Sequence, residues 1–231
     1  MQAPKRTAIS GPALVRLLAR LADLDVQAPG SSLSDRLSQW LGWTDAIALS
    51  TALSGDPPAL SGARSASGDH EDAFARVRAS LTRAIVREQA RDAFRHRAPV
   101  QTPVADLPVD YADYRQRYLS LQQAMESDIG TLRSRLRAVL AAQSTRTARL
   151  AVVDAVMDQA LSARERTLLA QVPALLGKHF ERLRRAHEHS PGDAPAWLSV
   201  FEKDMQSVLL AELNLRFQPV DGLLAACRAT H

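Results

Sequence analysis

A single cysteine, Cys227, in a chain of 231 residues cannot close an internal disulfide, which excludes a disulfide-stapled secreted scaffold. Glycine and proline are scarce, at 10 and 12 residues, so neither a collagen-like repeat nor a low-complexity chain fits. Long apolar runs are missing as well. Nowhere do about 18 apolar residues follow one another, which leaves no candidate for a membrane-spanning helix. Lys5 and Arg6 precede the apolar stretch from Ala13 to Leu24, but Arg16 and Arg20 interrupt it and no convincing small-residue cleavage site follows. A signal peptide is therefore not expected, and the expected compartment is the cytoplasm.

What is present is material for a large core: 46% of residues are hydrophobic and 23% charged, while only 5% are aromatic. Basic residues number 29 against 25 acidic ones, and all of the basic ones are arginine except Lys5, Lys178 and Lys203. A net charge of +4 on this length is far from the dense positive field of a dedicated nucleic-acid binder.

The apolar pattern is helical throughout, and no period-two strand survives comparison with it. Ser10 and Pro12 mark a helix start before Leu14, Leu17, Leu18 and Leu21. Ser31 or Ser32 caps a second helix carrying Leu33, Leu37, Trp40 and Leu41; Gly42 ends it, and Thr44 with Asp45 restarts one through Leu53. The stretch GDPPALSGARSASG has the composition of a linker. The expected division is thus an N-terminal helical unit at 1–54, a flexible linker at 55–68 and a helical bundle at 69–231.

In the bundle, Phe74, Val77, Leu81 and Ile85 form one stripe. Pro99, Pro103 and Pro108 then impose an extended connection. The clearest element follows. Tyr111, Tyr114, Tyr118, Leu121, Met125, Ile129, Leu132, Leu136 and Val139 recur at steps of three and four, a heptad-like seam with one irregular step at Ile129 beside Gly130. Ser144 or Thr145 starts the next helix, and Ser162 with Glu165 forms a capping-box pattern at which that helix is expected to break and restart. Pro173 is expected to kink the chain passing through it. A turn at Ser190–Asp193 leads to a helix through Trp197, Phe201, Met205, Leu209 and Leu213, and Pro219 is expected to open a last short helix ending near Cys227. The fold class expected is all-α: a bundle of long helices with a small N-terminal helical unit.

Residues that could carry chemistry each have a plainer explanation. Trp40 and Trp43 flank Gly42 and could cradle an aromatic ligand, but tryptophans filling a core, with glycine allowing close helix approach, is the stronger reading. Arg76, Arg83, Arg87 and Arg91 fall within about 80° of one another at 100° per residue, a face that could track phosphates. Glu88 and Asp92 interleave and no aromatic platform accompanies them, so a solvated face outranks a nucleic-acid site. His179, His187 and His189 match no metal motif, and no metal site or cofactor is expected. Asp154 and Asp158, four residues apart, could pair as carboxylates or hold a divalent ion, with Arg164 and Arg166 as nearby electrostatic partners. Cys227 has no obvious histidine partner beyond His231. The most interface-like residues are Tyr111, Tyr114, Tyr118 and Leu121. Tyrosines combine an apolar ring with a hydroxyl that tolerates a wet boundary, so this half of the seam is expected to meet a second copy or a partner helix.

Three stretches, SGPALVRLLARLADLDV, SLSDRLSQWLGWTDAIALSTAL and LNLRFQPVDGLLAACR, resemble a family of proteobacterial proteins, the domain-of-unknown-function family 3348, over nearly the whole chain. The resemblance implies no activity, cofactor or catalytic residue. It does imply an envelope-linked assembly, through neighbouring genes for coiled-coil membrane proteins and outer-membrane-protein-A-like peptidoglycan binders. The resulting expectation is a non-enzymatic scaffold or adaptor in the bacterial cytoplasm that docks a partner helix or self-associates. A nucleic-acid-associated protein using the arginine face comes second, and a helical enzyme using Asp154, Asp158 and the histidines third.

Overall fold

The structure, a computed structural model, describes residues 11–23, 32–55, 67–97, 109–189 and 196–229. These residues form eight helices: α1 (Ala13–Ala22), α2 (Leu33–Trp40), α3 (Trp43–Ser54), α4 (Ser67–Arg97), α5 (Tyr111–Gln143), α6 (Thr145–Leu169), α7 (Val172–His189) and α8 (Ala196–Arg228). No strand occurs among the described residues. Ser10, the linker except for its ends, the Pro99–Pro108 connection and the Ser190–Asp193 turn lie outside the described residues.

Local chemistry sets several helix starts. The Ser32 hydroxyl accepts from Asp35 N–H at 3.1 Å while Asp35 accepts from Ser32 N–H at 3.0 Å, a reciprocal cap that satisfies two orphan amides. Gly42 N–H donates to the Asp45 carboxylate at 3.0 Å, which opens α3. Gly42 is thus a turn residue, and a Cβ there would meet the Asp45 side chain rather than a neighbouring helix. Ser144 separates α5 from α6 and caps the latter through Thr147.

Helix α5 is the axis of the fold. It packs against α8, α6, α4 and α7, while α4 and α7 also lie on α8. The N-terminal helices dock at two places: α1 rests on α7 and α8, and α3 runs along α6. Along α5 most of the expected seam is the observed core stripe: Tyr114, Tyr118, Leu121, Met125, Ile129, Leu132 and Leu136 are buried, Tyr111 and Val139 are only half-buried, and Leu140 takes the buried place expected of Val139.

At three positions the chain departs from the expected breaks. Helix α6 runs unbroken through Ser162, because Leu169 at its far end is buried and Glu165 faces Arg216 on α8 instead of turning back as a cap. Pro173 kinks nothing: the chain turns at Ala170 and Gln171, and Pro173 occupies the first turn of α7, where its missing N–H has no partner to lose. Pro219 does not open a new helix. It sits inside α8, where the loss of one backbone bond, worth about 3 kcal/mol, is offset by burial of Phe217, Val220, Leu223, Leu224 and Cys227 on either side.

Candidate functional site

The tyrosines of α5 reach polar partners inside the chain. The Tyr118 hydroxyl donates to Glu212 Oε2 at 2.7 Å, and Gln122 Nε2 lies 3.0 Å from both oxygens of that carboxylate. Arg216, one turn along α8, completes the set at 2.9 Å and reaches Glu165 at 3.4 Å. Above this, the Tyr114 hydroxyl donates to buried Glu202 at 3.0 Å, and the Tyr111 hydroxyl donates to the Pro173 carbonyl. Tyr111 comes that close because residue 177 is glycine; a Cβ there would stand 2.8 Å from the Tyr111 ring. Phe180 and Phe201 pack edge-on to each other at 5.0 Å and against both Tyr111 and Tyr114.

These contacts correct the expected use of Tyr111, Tyr114, Tyr118 and Leu121. Tyr118 is fully buried and Tyr114 and Leu121 nearly so, all within one chain. The helices that fill this half of the seam are α7 and α8 of the same molecule. The hydroxyls find carboxylates and a carbonyl rather than a wet boundary. Burial pushes the Tyr111 hydroxyl up to about 12, and burial together with the Glu212 charge raises Tyr118 well above the ordinary range. Both stay protonated donors at neutral pH. The glutamates that receive them were not singled out in the sequence. The only available signal was an acidic residue at a core register of α8, with Arg216 four residues on.

The carboxylate pair is also neutralised. Arg133 and Arg137 of α5 bind Asp154 and Asp158 of α6 at 2.5–2.9 Å, each arginine bridging both acids. Burial raises the Asp154 carboxyl, and the hydrogen bonds and charges of the two arginines more than reverse this, leaving it below its usual value. The partners are thus Arg133 and Arg137 rather than Arg164 and Arg166. A cation would have to displace two guanidinium groups. Among the described residues no group of three or more His, Cys, Asp or Glu is placed to hold a metal ion.

The histidines separate. His179 is buried, its Nε2 2.8 Å from Asp204 and its Nδ1 2.9 Å from Arg182. Since Arg182 can only donate, Nδ1 is placed to accept from it and Nε2–H to donate to Asp204. Arg182 also donates to the Leu21 carbonyl, so this chain of contacts fastens α1 to α7 and α8. His187 stacks on Trp197, and His189 bonds the Arg185 carbonyl of its own helix. Cys227 is buried in α8, and burial raises its thiol, which makes it a core residue rather than a nucleophile.

Of the arginine face, Arg76, Arg83 and Arg87 are exposed on α4, and the Arg91 side chain lies outside the described residues. Arg76 and Arg83 donate through Nε to the Asp72 and Ala79 carbonyls.

Among the described residues, the largest exposed apolar side chain is on α3. Trp43 is 82% exposed and Ile47, one turn later, 51%, which overturns the expectation that both tryptophans fill the core. Trp40 behaves differently: it is half-buried, with the Arg164 guanidinium 4.8 Å from its ring centroid. Ala52 and Leu49 turn toward α6, while Ser50, Thr51 and Ser54 share the outward side with Trp43 and Ile47. The helix carries one charged group, Asp45, which is engaged at the Gly42 cap. The result is a neutral apolar face presented on a docked helix. Its sequence signal was apolar residues on both sides of one short helix, which a single core cannot bury.

Comparison with known proteins adds kinship without chemistry. Residues 1–229 match the model of one family, described as a protein of unknown function. No curated protein and no solved structure matches the chain.

Proposed function

Since the chain belongs to the DUF3348 family, which carries a relationship and no assigned chemistry, we propose from its residues that it is a non-enzymatic helical scaffold, docking a partner helix or a second copy through the outward face of α3. One observation carries the reading: a tryptophan left 82% exposed beside a half-exposed isoleucine, on a helix whose other side is docked. Tryptophan is among the residues most enriched where binding energy concentrates, and exposing it in a free chain forgoes a large burial gain. The polar clusters support the same reading from the other side. Each is saturated by partners within the chain, and such saturated groups hold helices together rather than act on a substrate.

The setting proposed is the bacterial cytoplasm, with an envelope-linked partner reached by docking. Among the described residues no helix is long and apolar enough to cross a membrane.

The test places a photo-crosslinking phenylalanine analogue at position 47 in cells and compares sedimentation of wild type with Trp43→Ala/Ile47→Ala. Expected are either a defined crosslinked partner or a concentration-dependent dimer, lost in the double variant while its melting stays within about 0.5 kcal/mol of wild type. A wild type that remains monomeric at about 100 μM and yields no specific crosslink at position 47 ends this reading.

A further inference from the structure

A second surface, independent of α3, lies between α4 and α5. A groove of roughly 330 Å³ has Arg76, Val77 and Ser80 on one bank and Asp128, Leu132 and Arg135 on the other. Its floor is apolar, from Val77 and Leu132. Its cations are uncompensated: among the described residues, Arg135 makes no ion pair or hydrogen bond, and Arg76 bonds only the Asp72 carbonyl of its own helix. Arg83 stands two turns further along the Arg76 side of α4, likewise bonded only to a backbone carbonyl, and Arg87 continues the row. Several other arginines meet carboxylates, as Arg133, Arg137, Arg216 and Arg228 do. Even Asp128, lining the same groove, pairs with neither guanidinium.

We infer that this groove receives an amphipathic helix of a partner protein, with an apolar stripe seated on Val77 and Leu132 and acidic flanks facing Arg76, Arg83 and Arg135. Charge complementarity selects this occupant. Helices pack about 8–10 Å apart by setting ridges into grooves, so the cleft between two antiparallel helices is a natural seat for a third. Phosphates would meet the Asp128 carboxylate in the middle of the track and an apolar floor beneath it, both unfavourable to a nucleic-acid backbone. In the proposed complex Asp128 fixes register by facing a basic or neutral position of the partner.

The test uses the full chain and a fluorescein-labelled helical peptide of about 20 residues, leucine on the heptad seam and glutamate on both flanks. Controls are a scrambled peptide of identical composition, a version with lysine replacing glutamate, and duplex and single-stranded DNA of similar length. Anisotropy should show the glutamate-flanked helix binding at least about tenfold more tightly than the scrambled peptide. Arg76→Glu with Arg135→Glu should abolish that preference, and Asp128→Asn should strengthen binding about threefold. Arg135→Gln alone provides a milder loss, and circular dichroism confirms that each variant keeps its helix content. Equal binding of the scrambled peptide, an unaffected double reversal, or DNA displacing the peptide overturns the inference. Trp43→Ala/Ile47→Ala should leave peptide binding unchanged, so failure here and failure of the α3 reading are separate results.

Discussion

From Tyr111 to Gln122, α5 holds α7 and α8 through polar atoms sealed inside the core; from Arg133 to Arg137 it holds α6 through charges left partly in water. In the first half, the Glu212 carboxylate has no exposed surface and meets Tyr118, Gln122 and Arg216. In the second, Asp158 retains 36% exposure and Arg137 19%, although the distances are as short. Equal geometry does not mean equal energy. Removing the buried Glu212 carboxylate strands the Tyr118 hydroxyl in the core and takes the nearest partner from Gln122 and Arg216. In the half-buried quartet, where Arg133 is 14% and Asp154 13% exposed, water can replace part of what is taken away. The two halves also differ in purpose. The inner network fixes which face of α8 meets α5, whereas the outer quartet clips α6 alongside.

The largest effect that separates them is expected at Glu212. Replacing it with alanine leaves the buried Tyr118 hydroxyl without its acceptor, Gln122 with only the Leu169 carbonyl and Arg216 with only Glu165 at 3.4 Å, and should destabilise the fold by about 3 kcal/mol, read by chemical denaturation. A loss below about 1 kcal/mol would mean that water enters this end of the bundle, and the contrast with the outer quartet would collapse.

Asp154→Asn tests the outer half and should cost less, about 1–2 kcal/mol near neutral pH. Its pH dependence carries the sharper information. The folded carboxyl lies below its ordinary 3.8, so its contribution is fully present above that value and is lost as pH falls through the depressed one. The stability gap between wild type and Asp154→Asn should therefore hold steady down to about pH 5 and narrow below about pH 4. A gap that is flat across that range would show that the arginines do not favour the ionised form.

The sequence made the outline of this architecture legible for a physical reason: helix starts and core stripes are local signals, spaced at three and four residues. Most of the α5 seam, helix starts at Ser31 or Ser32 and at Ser144 or Thr145, and the position of α4 were readable in this way; the structure puts the caps at Ser32 and Ser144. What was not readable was anything decided by a distant segment. The Tyr114–Glu202 and Tyr118–Glu212 bonds join residues about 90 positions apart, and a tyrosine suited to an interface is equally suited to a buried glutamate. The same ambiguity ran the other way for Trp43, whose size argued for burial while α6 receives the opposite side of its helix. Pro219 was misread because a proline's local cost is visible in sequence and the packing that offsets it is not.

The smallest effect is expected at the joint between the two halves. Gly130 lies within α5, one residue after the irregular step at Ile129, and a Cβ built there meets no atom within 4 Å. Its backbone is not in the left-handed region, so nothing in its conformation requires glycine. A glycine in a helix interior costs backbone entropy that alanine does not, and Gly130→Ala should raise stability by about 0.5–1 kcal/mol. Because the site touches neither polar cluster, the gain should add to the losses at Glu212 and Asp154 within about 0.5 kcal/mol in double variants. A destabilised Gly130→Ala would show that α5 must bend here for the buried network and the half-buried quartet to form together. The two halves would then be mechanically coupled, and the non-additivity with Glu212→Ala would measure that coupling.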